Sequence, residues 1–359
     1  MGSLGFWRRA AENSGWIAVV EEDGTRHLAG DLLARVNQVT HGLRARGLKA
    51  GDAIAAILPN GATALEVNLA AIQAGWYLTP VNWHFTPREA AYIIADCEAR
   101  AVFVHERYAS LGTAAADLAG IGAGGRFCFG EVPGFTPVAQ LRSGQPDSLP
   151  ADRTAGATMH YTSGTTGRPK GVRRPLSGMD PDEAADLGSA LLQFFGITRG
   201  APNVHLLTSP NYHTAVTVFG GGALHMGHTL VCMDSWDAER ALALVEKYRV
   251  TSSHMVPTQF KRMLSLPEEK RRRFDLSSMR WLIHAAAPCP VGIKQAMLDW
   301  WGPCVWEYYA ATEGGGTIAR RGSGWSGRAP WAGHGRSARS WWPTRTAARA
   351  RPEFPARST

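Results

Sequence analysis

The sequence predicts an α/β protein made of two doubly wound units, one over about residues 1–150 and one over about 151–319. Two observations carry this expectation. Short apolar runs alternate with segments of helical period, as parallel strands joined by crossover helices require. The 359 residues, 45% hydrophobic and 19% charged, also suffice for a large buried core divided among more than one unit.

Taken in order, Trp16–Val20 is an apolar run that stops at the turn Glu21-Glu22-Asp23-Gly24. Leu32, Leu33, Val36, Val39 and Leu43 then recur at helical spacing up to Gly47, which is placed to end the helix. Ala53–Leu58 reads as a buried strand, Ala62–Ala74 as a helix and Trp76–Val81 as a strand. Thr86-Pro87-Arg88-Glu89 opens a helix with a capping box and a proline at its first position, ahead of a strand over Ala101–Val104. From 110 to 152 Gly, Ala and Pro prevail, and only a short strand near Phe127–Phe129 stands out. Ala157–Tyr161, Val204–Thr208, Leu230–Met233, Thr251–Met255, Trp281–Ala285 and Val305–Tyr308 are the later strands, with helices over Asp237–Tyr248 and Val291–Trp301. The basic run Lys270–Arg273, between Pro267 and Asp275, reads as a solvated loop.

The stretch Tyr161–Val172, YTSGTTGRPKGV, has the make-up of a polyphosphate loop hung from a sheet edge. Gly164 and Gly167 let successive N–H groups turn toward an anion, Thr162, Ser163, Thr165 and Thr166 add hydroxyl donors, and Lys170 adds a point charge that Pro169 keeps on a stiff turn. The common P-loop is excluded, because it needs a glycine at Pro169 and a hydroxyl at Gly171. A flexible Ser/Thr/Gly linker is the plain alternative, and this lysine and proline with two spaced glycines argue against it.

At this loop the sequence resembles the adenylate-forming enzymes, which include fatty-acyl and aryl CoA ligases, luciferases and peptide-synthetase adenylation domains. The resemblance implies an acyl-CoA synthetase-like N-terminal domain, with ATP, Mg²⁺ and a carboxylic acid as substrates, an acyl-AMP anhydride as intermediate and coenzyme A as co-substrate. Glu307-Tyr308-Tyr309-Ala310-Ala311-Thr312-Glu313-Gly314, at a strand end, resembles the family's aromatic-x-x-Thr-Glu signature, with Ala310 where the family usually has glycine. By that match Tyr309 stacks on adenine, Thr312 bonds the α-phosphate or acyl carboxylate and Glu313 binds Mg²⁺ through oxygen, so that Lys170, Thr312 and Glu313 form the catalytic set. Glu307, Tyr308, Ala310 and Ala311 join the nucleotide site on the same ground. Without the match, the two tyrosines read as core and Glu313 as an acid near a helix start.

Ala285, Ala286 and Ala287, between His284 and Pro288, look like the family's small-residue adenine loop, although an ordinary strand-to-helix turn reads similarly. Asn211-Tyr212-His213 resembles the aromatic-His segment beside the acyl pocket, and Val256-Pro257-Thr258 its pocket-wall turn; His213 alone reads equally as a core histidine. Peptide-synthetase domains usually place an aspartate in this region for the substrate's ammonium group. No acid stands between Leu206 and Val231, which favours a simple, apolar carboxylic acid such as a fatty acid. His225, His228 and Cys232 have ligand chemistry, but Gly227 breaks the helical spacing and no fourth ligand is near, so zinc is not expected.

Five widely spaced cysteines without a C-x-x-C pair suggest reduced thiols and a cytoplasmic protein. The N-terminus lacks the apolar core of a signal peptide, and no apolar run reaches about 18 residues, so no membrane span is expected. The net charge of +8 resides wholly in residues 320–359, with nine arginines against Glu353. The rest of the chain is neutral on balance, which argues against a nucleic-acid partner for the folded body. Nothing in the sequence indicates an oligomeric state.

The resemblance ends near Thr317, before the ribose-gripping Gly-Asp segment, the hinge and the lid domain with its lysine that family members carry. From Arg320 the chain has neither Lys nor Asp and is crowded with Arg, Ala, Gly, Pro, Ser and Trp, the composition of a shifted frame through a G- and C-rich gene. This segment is expected to be a disordered, out-of-frame tail, with Ser326-Gly327-Arg328 a last echo of the family pattern so that the break falls between Ala319 and about Gly333, and the chain a poor ligase. A non-catalytic nucleotide-binding remnant, and an adenylating enzyme with an acceptor other than CoA, stay open at this point. Translating the coding DNA beyond codon 317 in the other two frames checks the tail: the missing Gly-Asp segment and lid appear in one of them, whereas two frames without that pattern contradict a shift.

Overall fold

In the computed structural model the described residues are 5–162, 169–200, 202–310, 316–319 and 339–340. The strands are β1 (Ile17–Val20), β2 (Arg26–Leu28), β3 (Ala53–Ile57), β4 (Tyr77–Pro80), β5 (Ala99–His105), β6 (Arg126–Phe129), β7 (Thr136–Pro137) and β8 (Ala157–Thr158). After them come β9 (Tyr161–Thr162), β10 (Lys170–Gly171), β11 (Val204–Leu207), β12 (Thr229–Cys232) and β13 (Ser252–Met255). The chain ends with β14 (Trp281–His284), β15 (Val305–Ala310), β16 (Gly316–Ala319) and β17 (Arg339–Ser340).

One sheet has the order β7-β6-β5-β3-β4-β8 and is parallel throughout. The other runs β17-β16-β15-β14-β13-β11-β12-β1-β2, parallel from β15 to β1 and antiparallel at both ends. Sheet membership does not follow chain order. β1 and β2 join the second sheet, and β8 closes the edge of the first. Arg339 and Ser340, the described part of the tail, pair with β16 as the outermost strand.

Alternation along the strands shows why the two sheets stack. Ile54, Ala101 and Phe103 face a core shared with Leu207, Leu230, Ile283 and Trp306 of the second sheet, and helices Ala29–Ala45, Ala62–Gln73 and Thr214–His225 fill the space between. Ala53, Ala55, Val102 and Val104 point the other way, onto helices Pro87–Asp96 and Ala109–Leu118. Leu206, Val231, Leu282 and Val305 face outward from the second sheet onto helices Ala238–Lys247, Pro257–Leu264 and Val291–Trp301. The result is five layers, αβαβα. β3, covered on both faces, is apolar throughout.

The expected strand Ala157–Tyr161 is two short pieces with different partners. β8 pairs with β4, and β9 pairs with β10 in a hairpin. Of the Lys270–Arg273 run, Lys270 and Arg271 finish one helical turn that Glu268 and Glu269 begin, and Arg272 and Arg273 lie in the exposed turn that follows. Helices Gly5–Glu12, Pro181–Phe194 and Thr214–His225 were not expected. The first carries buried Phe6 and Trp7 and docks on the second through Asp182, which is fully buried and accepts from Arg153 Nη2 at 2.7 Å and from the Arg8 backbone N–H at 3.3 Å.

Several histidines are buried in this stack. Burial holds His160 and His254 down to about 4 and His205 to about 3, from an ordinary 6.5. The unfolded chain binds these protons near pH 6.5 and the folded chain does not. Stability is therefore lost as pH falls below 6.5, by at most about 1.4 kcal/mol per pH unit per histidine, down to the folded-state values. A melting temperature that drops between about pH 6.5 and 4.5 is the expected result, and one that stays level over that range contradicts it.

Candidate active site

In a parallel sheet the carboxyl ends of the strands share one edge, where α/β proteins place ligands. Three of the expected segments follow such ends: Asn211–His213 after β11, Val256–Thr258 after β13 and Ala285–Ala287 after β14; Tyr308–Ala310 forms the end of β15 itself.

Ser163, Gly164, Thr165, Thr166 and Gly167 lie outside the described residues, but the arms of their loop are placed. β9 and β10 pair with Lys170 opposite Thr162, and Lys170 is exposed. Tyr92 Oη donates to the Pro169 carbonyl at 3.1 Å, Tyr77 Oη to the Arg174 carbonyl at 2.7 Å and Tyr161 Oη to Asp96 Oδ2 at 2.6 Å. Burial and the Asp96 carboxylate raise the Tyr161 phenol, so it remains a donor. Gly171 is required by close approach, since a Cβ there would meet the Met159 methyl and the Tyr161 ring.

His160, just before this hairpin, reaches across the layers. Its neutral ring donates from Nδ1 to the Tyr212 carbonyl at 3.2 Å. The Tyr212 ring meets Trp83 edge-on at 4.8 Å, and Trp83 stacks on Tyr108 at 5.3 Å. His213, at the start of helix Thr214–His225, is exposed, so the core-histidine reading does not hold for it. Val256 precedes a helix rather than a turn: its N–H donates to Gln259 Oε1 at 2.9 Å, Pro257 is the first helical residue and buried, and Thr258 is exposed. Proline at that position is the signal that sequence reading passed over.

Sequence reading also missed Asn60, which follows β3 in Pro59-Asn60-Gly61. Its Nδ2 donates to the carbonyls of Ser209 and Met233, both at 3.0 Å, and its Oδ1 accepts from the Asn211 N–H at 2.9 Å. One amide thus ties the first sheet to the segments that leave β11 and β12. Beside it an apolar cavity opens between helices Ala62–Gln73 and Thr214–His225, with walls that include Leu58, Ala64, Leu78, Leu207, Val216 and Gly221. Tyr212, His213 and Val256–Thr258 are not part of its walls.

At the other end of the edge, Ala285 is buried and Ala286 and Ala287 are exposed, with Ala286 in the left-handed region at φ 69°. A non-glycine residue there is costly, and such residues concentrate at functional loops. Tyr308 and Tyr309 have opposite fates. Tyr308 is buried against Phe195 and Phe219 with its hydroxyl 3.2 Å from His254 Nε2, a core position, while Tyr309 is 56% exposed. Glu307 is buried with its carboxylate 3.6 Å from Lys294 Nζ. Ala310 ends β15 opposite Gly316 of β16; Ala311, Thr312 and Glu313 lie outside the described residues.

An edge that brings together the arms of a hairpin, a strained alanine loop and an exposed tyrosine suits a nucleotide. The chain belongs to the AMP-binding enzyme family, whose sequence profile matches residues 6–339 and so extends beyond Thr317, where the motif-level resemblance ends. It is similar to a feruloyl-CoA synthase of Amycolatopsis sp., 30% identical over 82% of this chain and 57% of the relative. It is also similar to 4-hydroxybutyrate–CoA ligase 2 of Metallosphaera sedula, 28% identical over 77% of this chain and 51% of the relative. The chain spans about half the length of these curated relatives. Among solved structures, the N-terminal domain of FACL13 from Mycobacterium tuberculosis shares the fold, with a TM-score of 0.70 at 22% identity over 89% of this chain and 79% of that one.

The Asn60 tie generates a test. Asn60→Ala leaves two carbonyls and one N–H without their partner, and is expected to cost about 1–3 kcal/mol of stability, read by thermal or urea melting. An unchanged melt contradicts the role of this amide as the tie between the layers.

Proposed function

We propose that this chain is the nucleotide- and acid-binding portion of an ATP-dependent carboxylic acid:CoA ligase, which activates an apolar acid such as a fatty acid as its acyl-AMP. A carboxylate is a poor electrophile because resonance stabilises it and oxide is a poor leaving group. Its attack on the α-phosphate of ATP, with departure of pyrophosphate, supplies AMP as the better leaving group. In this reading the 163–167 loop and Lys170 hold the β- and γ-phosphates, Ala285–Ala287 and Tyr309 receive adenine, Thr312 bonds the reacting groups and Glu313 holds Mg²⁺. A hard cation takes oxygen ligands, and the Glu313 carboxylate has that chemistry. CoA then takes the acyl group.

The observation that carries the reading is membership of the AMP-binding family together with an apolar cavity at the carboxyl ends of β3, β4 and β11. The apolar lining, and the absence of any acidic residue between Leu206 and Val231, support an acid without an ammonium group. Gly221 supports a role for the cavity in admitting the acid, because a Cβ there would meet no atom within 4 Å. The relatives named above are, by name, ligases of different acids, so this open space is the feature of the chain that bears on acid size.

The test is ATP–pyrophosphate exchange with a panel of fatty, aromatic and amino acids. Exchange that depends on fatty or aromatic acids is expected. Lys170→Ala should lower it with every acid, by about two orders of magnitude for a lost positioned charge. Gly221→Met should instead raise the concentration of the larger acids required and leave that of ATP unchanged. Exchange driven by amino acids alone overturns the choice of substrate, and no exchange with any acid overturns the activity.

A further inference from the structure

Lys294 lies in the first turn of helix Val291–Trp301, but only 6% of its surface is exposed. Its ammonium is 2.5 Å from His284 Nε2 and 3.6 Å from Glu307 Oε2. His284 and Glu307 are partners on the last paired rung of β14 and β15. Beyond that rung one strand enters Ala285–Ala287 and the other leads through Tyr308 to exposed Tyr309. Phe260 closes the pocket from a neighbouring helix, its ring 5.1 Å from that of His284, and the Cys289 thiol feels the same ammonium.

Three costs converge on this rung. A lysine is buried; His284 is fully buried with Nδ1 lacking a partner among the described residues; and Ala286 is held at positive φ. Burial and the Lys294 charge hold the His284 ring down to about 2, so it stays neutral and accepts from Lys294, whose own pKa burial lowers and the Glu307 carboxylate raises. Stability is a poor reason to keep such a group, since a buried ion pair is commonly matched or bettered by apolar residues of similar volume. Position is the better reason.

We propose that Lys294 is a positioning residue for the base of the nucleotide: it pins the ends of β14 and β15 at the separation that sets the gap between the alanine loop and Tyr309. The inference rests on the reading of those segments as the adenine site. It predicts that the pin governs recognition of the base and leaves the hold on phosphate unaffected.

The test compares the full chain with Lys294→Met and with the double variant Lys294→Met/Glu307→Gln, by thermal melting and by calorimetry with ATP and with inorganic triphosphate. The single variant leaves Glu307 buried without its cation and is expected to melt lower. The double variant removes both charges, so its melting temperature returns toward wild type, while ATP affinity stays about tenfold or more down and triphosphate affinity is unchanged. A double variant with both wild-type melting and wild-type ATP affinity makes Lys294 structural only and overturns the inference alone. Equal losses for ATP and triphosphate also overturn it. A wild-type chain that binds no ATP overturns the nucleotide reading and this inference together.

Discussion

The structure depends on the helical layer shared by the two sheets. Helices Ala29–Ala45, Ala62–Gln73 and Thr214–His225 bury side chains toward both, so the first sheet and the second cannot pack independently of one another. Apolar contact of this kind is not directional, and by itself it leaves the two sheets free to slide. Directional bonds at the carboxyl edge supply what burial lacks. Asn60 holds the segments after β11 and β12, and His160 holds the Tyr212 carbonyl. The candidate site is assembled from pieces of both sheets because these bonds align their edges.

Electrostatics at the edge follow from the same burial. Histidines inside the stack are held neutral and act as fixed donors or acceptors, as His160 does toward Tyr212 and His284 toward Lys294. Charged groups are buried where they join elements: Asp182 between the N-terminal helix and its neighbours, Glu66 with Arg35 and Arg142, and Lys294 across β14 and β15. The first two tie the scaffold, and the third lies next to the loop proposed to receive adenine.

Much of the fold was legible because a strand buried on both faces is often written as a continuous apolar run, as in β3, in Ala101–Val104 of β5 and in Leu230–Cys232 of β12. The Thr86 capping box was legible for a local reason, since its two hydrogen bonds involve residues three apart. Helix Thr214–His225 was not: it carries three consecutive glycines and β-branched residues, and it faces apolar neighbours on several sides, so no polar stripe reveals its period. The break between β8 and β9 was equally hidden, because five residues of strand-like sequence do not say which sheet they join. In the candidate site, the stretch Tyr161–Val172 stands out in the sequence because its glycines, hydroxyls and lysine are contiguous. Lys294 was not, since a lysine on a helix ordinarily reads as a solvated group and only the fold brings His284 and Glu307 to it. Of the paired tyrosines, Tyr308 went to the core and Tyr309 to the edge, which strand alternation explains once the buried face of β15 is known.

The most direct measurement is a crystal structure of the chain with an acyl-AMP analogue bearing an apolar tail. The base is expected between Ala285–Ala287 and Tyr309, and the tail is expected to point to the cavity beside Gly221. A ligand bound at the amino ends of the strands, or a base lying away from the alanine loop with that cavity closed, would contradict this placement.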